Sequence, residues 1–157
     1  MTPVAQSLVI ATLVLGAGAT SVSVMNDDIP DLAVPEAAWE PGSALDGQSF
    51  DTVDRIIETG EILTDTLVFR DGTFQSAMCQ KYCDFGWSNY QTWSEGDVIH
   101  FTATTRCPDA PHTVVWLGQV DQGEISFEAS WTTRRWYWTR QITATGEGTL
   151  SDKATSG

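Results

Sequence analysis

Between residues 45 and 150 the chain alternates apolar and polar positions in short runs that are separated by turn signals. One face of a run is apolar and the other is polar, which is the period-two pattern of a half-buried β-strand. The run after Gly96 shows this clearly, because one of its faces is formed by Ile99, Phe101, Ala103 and Thr105. Helical periodicity is hard to find here, so the pattern predicts an all-β domain.

Tight turns join these runs into hairpins. Asp71-Gly72 lies between "TDTLVFR" and "TFQS", and Gln122-Gly123 lies between "TVVWLGQVD" and "EISFEASWTT". Asp-Gly between two apolar-patterned runs is the strongest short-range hairpin signal. The stretch "FDTVDRIIETG" is ambiguous, because Asp51 could cap a short helix there. We favour the first strand of the domain.

The number and spacing of the runs predict an antiparallel up-and-down meander barrel of about eight strands. Closing such a meander removes both exposed edges of the sheet. A barrel of this size holds either packed side chains or one small ligand. A two-sheet β-sandwich built from the same strands is the alternative, and periodicity does not separate the two folds.

The two ends of the chain fall outside this pattern. Residues 1–19 contain an apolar run from Ser7 to about Ala19 that is shorter than the roughly 20 residues of a membrane-spanning helix. The small residues at Ala17 and Ala19 fit a signal-peptidase site, so we predict a cleaved signal peptide, with an uncleaved anchor as the alternative. We predict that residues 20–44 form an acidic, proline-containing leader or linker and that residues 45–150 form the β domain. We predict a polar tail at residues 151–157.

Charge narrows the range of partners. The chain has 21 acidic and 8 basic residues, for a formal net charge of −13. This charge repels phosphate backbones and anionic lipid surfaces, so we expect no nucleic-acid partner and no membrane association after signal cleavage. Together with the predicted signal peptide, this acidic charge indicates a periplasmic or secreted protein.

Export changes the interpretation of the three cysteines, Cys79, Cys83 and Cys107. Disulfides form and persist outside the cytoplasm. Hairpin neighbours could bring Cys107, at the end of one run, near the loop that carries the other two. We therefore predict a disulfide between Cys107 and one of the other two, with one thiol left over. A bond from Cys79 to Cys83 would need a helical turn between them.

A thiophilic metal site is the chemical alternative at the same stretch. Met78, Cys79 and Cys83 are ligands that suit copper(I), and His100 or His112 could complete the set. The Cys-x-x-x-Cys spacing carries little specificity alone, and no histidine lies within the motif. We predict no metal site and no cofactor.

Tryptophan and arginine concentrate in "WTTRRWYWTR". Arg140 shares a predicted face with Trp136 and Trp138, and if that face is inward a guanidinium lies beside aromatic walls. Such a site can hold a carboxylate while indoles cover an apolar body. The predicted ligand-binding set is Trp93, Trp116, Trp131, Trp136, Trp138 and Arg140. The alternative is a packed tryptophan core with Arg140 paired to an acid.

The pieces "LDGQSF", "DTLVFRDGTFQSAMC", "GDVIHFTATT" and "WLGQVDQGEISFEASW" resemble small exported bacterial proteins with lipocalin-like, calycin-type meander barrels. The layout is also similar to avidin-type barrels, although no ligand-loop motif matches. Lipocalins usually carry a Gly-x-Trp at the barrel floor, whereas here Gly47 is followed by Phe50. The resemblance implies a barrel that carries or senses a small apolar molecule, and it transfers no catalytic residue.

These patterns predict an exported binding module for a small hydrophobic or aromatic, and possibly anionic, ligand. The alternative is a protein-interaction or structural module with a filled core and a contact surface at residues 76–90, anchored by Tyr82, Phe85 and Trp87. No nucleophile elbow, phosphate-binding loop, dinucleotide fingerprint or zinc-protease helix occurs in the sequence. No catalytic residue is predicted, and an enzyme is the least favoured class.

Overall fold

A computed structural model of the protein describes residues 32–151. The predicted signal peptide at residues 1–19, the first part of the predicted leader and the tail from residue 152 lie outside the described residues. Within residues 32–151, no helix is long and apolar enough to cross a membrane.

The described chain forms nine strands and one short helix. The elements in chain order are β1 (Glu40–Pro41), β2 (Ser49–Ile56), β3 (Ile62–Arg70), β4 (Thr73–Ser76), α1 (Ala77–Cys83), β5 (Ser88–Glu95), β6 (Val98–Arg106), β7 (His112–Asp121), β8 (Glu124–Arg135) and β9 (Trp138–Leu150).

Strands β2 to β9 form a ring-like antiparallel meander of eight strands. Each strand pairs with the next along the chain, and β9 returns to pair with β2, from Phe50 opposite Leu150 to Ile56 opposite Ala144. The predicted all-β antiparallel meander is confirmed. Because pairing continues around the whole ring, the strands form one sheet rather than the two sheets of the alternative sandwich.

The two predicted tight turns have the backbone that two-residue hairpins require. Asp71 and Gly72 have φ values of 51° and 74°, and Gln122 and Gly123 have φ values of 50° and 79°. Positive φ at both central residues is the mark of a type I′ turn, whose twist matches that of the flanking strands. The ambiguous stretch "FDTVDRIIETG" forms β2, so the preference for a strand is confirmed.

Aromatic side chains fill one half of the ring interior. Phe69 lies at the centre of this core, with ring centroids 5.0 to 5.2 Å from those of Tyr90, Phe74 and Phe101. Trp116 continues the stack, 5.1 Å from Phe74. Its indole N–H donates to Thr105 at 3.1 Å, which satisfies the one polar atom that the ring brings inside.

Helix α1 lies next to β3 and β4 and was not predicted. Ser76 caps it, because the Ser76 hydroxyl accepts a hydrogen bond from the Cys79 amide at 3.1 Å. The same hydroxyl donates to the buried carboxylate of Asp65, which also accepts from the Met78 amide at 2.8 Å. A polar cluster on β3 and β4 therefore holds the first turn of the helix.

A disulfide between Cys83 and Cys107 fixes the other end of α1. Their Cα atoms are 5.7 Å apart, and the bond closes a loop between positions 24 residues apart. The predicted pairing of Cys107 is confirmed, with Cys83 as its partner. A helical turn does separate Cys79 from Cys83, but Cys79 remains a free, buried thiol.

The end of the predicted leader packs against the ring. β1 pairs with β5, with Glu40 opposite Thr92, and Trp39 meets Trp93 edge-on at 6.3 Å between ring centroids. The sequence showed no strand period here, and a strand of two residues is too short to produce one.

Candidate functional site

The half of the ring interior that the aromatic core leaves open is a cavity of about 490 Å³. Strands β7, β8 and β9 supply most of its wall, β2 and β3 close the opposite side, and α1 borders it with Met78, Cys79 and Tyr82. Its mouth lies near the turn between β8 and β9. The chain thus has an internal site that opens at one end of the ring.

The wall of the cavity is apolar because inward positions on three consecutive strands are apolar. Val114 and Trp116 face inward from β7, Phe127 and Trp131 from β8, and Ile142 from β9. The register places Trp131 opposite both Val114 and Ile142. Period-two alternation therefore builds one continuous hydrophobic surface from residues that are far apart in sequence.

Trp131 organises the rim of the cavity. Its ring lies 5.0 Å from Tyr82 and 5.3 Å from Phe85, so it joins β8 to the helix and to the loop that follows it. The Thr133 hydroxyl lies 3.3 Å from the Trp131 indole N–H and 2.8 Å from His112 Nδ1. Burial lowers the pKa of His112, and the positive charge of Arg135 lowers it further.

Two arginines, Arg135 and Arg140, lie at the mouth, and both side chains are exposed. Within residues 32–151, neither forms an ion pair with an acidic side chain. Trp138 lines the cavity between them in sequence. Exposed guanidinium groups next to an indole are well suited to bind a carboxylate or another planar anion.

Asp54 lies in the cavity lining, toward its floor, on the inward face of β2 that also carries Phe50 and Thr52. The residue is only 2% exposed, and its Oδ1 atom has no hydrogen-bond partner within residues 32–151. Burial raises the pKa of Asp54 to about 6, against the lowering effect of the nearby Thr52 hydroxyl, and the charge of Asp65 raises it further. A group that changes charge near pH 6 therefore lies at the floor of an apolar cavity.

The two other ionisable groups beneath the cavity are structural. Burial raises the pKa of Asp65, although hydrogen bonds from Ser76, Met78 and Thr66 favour its charged form. Burial also raises the pKa of the Cys79 thiol to about 12, so the thiolate is scarcely populated at neutral pH. Cys79 is therefore an inert lining residue rather than a nucleophile.

The structure brings together four of the six residues predicted to bind ligand. Trp116, Trp131, Trp138 and Arg140 all line the cavity. Trp136 does not, because it lies in the turn between β8 and β9 with 92% of its surface exposed. Trp93 does not either, because it lies on the outer face of the ring and stacks on His100 at 4.3 Å.

The three predicted anchors of the alternative contact surface at residues 76–90 differ in their exposure. Phe85 is 6% exposed and packs against Trp131. The Arg70 guanidinium lies 4.3 Å from the centroid of the Trp87 ring. Tyr82 is the most exposed of the three at 67%, and it belongs to the rim of the cavity.

The copper alternative loses one of its ligands, because the Cys83 sulfur is bonded to Cys107 and offers no thiolate. Among the described residues, no group of three or more histidine, cysteine, aspartate or glutamate side chains is arranged to hold a metal ion.

Sequence reasoning missed Asp54, Arg135, His112 and Tyr82 as lining residues. For Asp54 a signal was present, because period-two alternation puts it on the same face as Phe50, where an acid is out of place. Arg135 is the last residue of β8, and its position at the mouth depends on how β8 and β9 twist around the ring.

No protein-family model, curated protein sequence or solved structure matches this chain. The resemblance to lipocalin-like proteins stays a prediction.

Proposed function

We propose that this protein is an exported carrier or sensor that binds a small, largely apolar ligand with one anionic group inside the ring. The observation that carries this proposal is the combination of an apolar cavity open at one end with two arginines at its mouth that have no acidic partner in residues 32–151.

The size and lining of the cavity support a small-molecule ligand. Its volume of about 490 Å³ falls in the range of roughly 300 to 1,000 Å³ that is common for ligand pockets. Each apolar side chain that the ligand covers contributes about 25 cal/mol per Å² of surface removed from water. A ligand body of hydrocarbon or aromatic character gains most from this wall.

The arginines give the site its preference among apolar molecules. Because the chain has a net charge of −13, its average field repels anions, and only a local positive group can reverse that effect. Arg135 and Arg140 supply two such groups at the mouth. A carboxylate placed there remains partly in water, which limits the cost of its desolvation.

Export is supported by two independent features. The disulfide between Cys83 and Cys107 is of the kind that persists in oxidising compartments. Residues 1–19 have the composition of a secretory signal. A periplasmic or secreted location would expose the cavity to small molecules outside the cytoplasm.

A pair of matched variants tests the proposal with anilinonaphthalene sulfonate, an anionic aromatic dye whose fluorescence rises in apolar sites. Ala129 faces into the cavity from β8, and Ala129→Phe should fill part of it. Ser126 is exposed on the outer face of the same strand, and Ser126→Phe adds the same ring there. Ala144→Phe fills the cavity from β9 if the first variant fails to fold.

We expect saturable dye binding to the wild type and to Ser126→Phe, and at least tenfold weaker binding to the cavity-filling variants. Arg140→Gln should weaken binding of the anionic dye more than it weakens binding of the uncharged analogue, phenylnaphthylamine. Equal dye affinity in all variants would mean that the dye does not enter the ring, and the proposed function would then be wrong.

A further inference from the structure

The floor of the cavity contains the carboxyl group of Asp54, one oxygen of which has no hydrogen-bond partner within residues 32–151. Asp54 lies opposite Gly146 of β9 and opposite Leu63 of β3. Gly146 leaves room for the carboxyl, since a Cβ atom at position 146 would lie 2.6 Å from Asp54 Oδ1. The backbone of β9 is therefore shaped around this group.

A comparison with Asp65 shows how unusual the environment of Asp54 is. The Asp65 carboxylate accepts hydrogen bonds from the Ser76 hydroxyl, the Met78 amide and the Thr66 amide. Asp54 Oδ1, in contrast, has no hydrogen-bond partner within residues 32–151, and the nearby Thr52 hydroxyl, which also has none there, lowers the pKa of Asp54 only against the larger effect of burial. Buried polar atoms without a partner are rare, and each costs about 1 to 3 kcal/mol.

The position of Asp54 indicates where its partner could come from. The side chain lines the same cavity as Arg140. Since Oδ1 lies close to Gly146, the other oxygen is the one that a molecule in the cavity can meet. A hydrogen-bond donor on that molecule would satisfy the carboxyl.

We propose that Asp54 is the polar floor of the ligand site and accepts a hydrogen bond from a hydroxyl or amino group at the end of the ligand opposite its anionic group. This inference rests on the proposed function and names the class of ligand: an elongated amphiphile with an anion at one end and a donor at the other.

The distance between the two polar ends sets the length of this ligand. Arg140 and Gly146 are six residues apart on β9, a span of about 20 Å between their Cα atoms. The side chains of Arg140 and Asp54, which lies opposite Gly146, both reach into the cavity, which shortens the gap that the ligand must bridge. A medium-chain ω-hydroxy acid fits this description better than a single aromatic ring.

Selectivity follows from the unsatisfied carboxyl. A ligand that ends in a methyl group brings no donor to Asp54, whose Oδ1 atom has none within residues 32–151. A ligand that ends in a hydroxyl gives the carboxylate a charge-assisted hydrogen bond. Sites built around a buried polar group reject analogues that lack the matching donor.

The test uses ω-hydroxydecanoate and undecanoate, which differ only by a hydroxyl in place of a methyl at the far end. Dissociation constants for both acids are measured by calorimetry with the wild type, Asp54→Leu and Asp54→Asn. Leucine keeps much of the aspartate shape and offers no acceptor. Asparagine keeps an acceptor without the charge, and it provides a second variant if leucine perturbs folding.

We expect the ratio of the two dissociation constants to shift toward undecanoate by at least tenfold in Asp54→Leu, and by less in Asp54→Asn. If both acids bind and the ratio is the same in all three proteins, Asp54 does not contact the ligand and this inference alone is overturned. If neither acid binds any of the proteins while the anionic dye binds inside the ring, the ligand class is wrong and the proposed cavity function stands. If the dye also fails to bind inside the ring, the proposed function is wrong, and this inference with it.

Discussion

Gly146 of β9 lies directly against the ring of Phe127 on β8, and a Cβ atom at position 146 would lie 2.2 Å from Phe127 Cζ. The two residues are opposite each other in the β8–β9 register, on the face that points into the ring. The close approach lets Phe127 form part of the cavity wall while the Asp54 carboxyl occupies the space beside it.

Gly146→Ala should therefore destabilise the protein by about 1 to 3 kcal/mol, because the added methyl overpacks the site. Urea denaturation gives the change in the free energy of unfolding. Phe127→Leu in the same chain removes the ring atoms that the methyl meets, so the double variant should recover part of the loss. A Gly146→Ala protein as stable as the wild type would contradict the packing described here.

The raised pKa of Asp54 gives a defined dependence of stability on pH. In the folded protein the Asp54 carboxyl keeps its proton up to about pH 6. In the unfolded chain the same carboxyl loses its proton near the ordinary aspartate pKa of 3.8. Between these values the folded state binds more protons, so stability from this group is highest at low pH and falls as pH rises to about 6. The loss is on the order of 2 to 3 kcal/mol.

Asp54→Asn removes this titration while keeping the shape of the side chain. The difference in unfolding free energy between wild type and variant should change across pH 4 to 6.5 and favour the variant above that window. Chemical denaturation at a series of pH values measures it. A difference that stays constant with pH would show that Asp54 titrates normally in the folded protein.

The Cys83–Cys107 bond should contribute about 3 kcal/mol of stability through the loop that it closes, measured as the loss in a Cys83→Ser, Cys107→Ser double variant. Cys79→Ala, which removes the free thiol, should lower the stability much less.

Thiol titration of the unreduced wild type should find one thiol after unfolding and almost none before, because Cys79 is buried and protonated. Three reactive thiols in the unfolded, unreduced protein would exclude the disulfide.

Trp138 and Trp136 provide a matched test of the cavity mouth. Trp138 lines the cavity, whereas Trp136 is two residues away and points into solvent. Trp138→Ala should weaken binding of the anionic dye about tenfold, while Trp136→Ala should leave both affinity and stability within about 0.5 kcal/mol of the wild type. Equal effects of the two substitutions on affinity would place the ligand on the outer turn instead.

Much of the ring could be predicted from the sequence because strand periodicity is local. The alternation that includes Phe101 marks the inward face of β6, and Asp71-Gly72 supplies the positive φ angles of its turn. These signals depend on neighbours only a few residues apart. Helix α1 gave no comparable signal, since seven residues make too few turns for a helical period to show.

The two tryptophans that fall outside the cavity show where residue type misleads. Thr92 is buried in β5, so period two turns its neighbour Trp93 outward, although a large aromatic residue was expected inside. Trp136 was assigned to the same face as Trp138, but the turn interrupts the alternation before β9 begins. In both cases the local register outweighed the preference of indole for burial.

The cavity and its floor could not be predicted, because empty space depends on the sum of side-chain volumes contributed by many strands. The alternation places Asp54 on an inward face, but that its Oδ1 atom finds no partner among the described residues is a property of the assembled ring. The position of Arg135 and Arg140 at the mouth is likewise visible only after the register is known.

Methyl-resolved nuclear magnetic resonance during titration with the anionic dye shows whether a ligand binds inside the ring. We expect ring-current shifts at the lining methyl groups of Leu63, Val114 and Ile142, with little change at Val53, Ile62 and Leu117 on the outer face. Shifts confined to the outer methyl groups, or no shifts at saturating dye, would contradict a ligand site inside the ring.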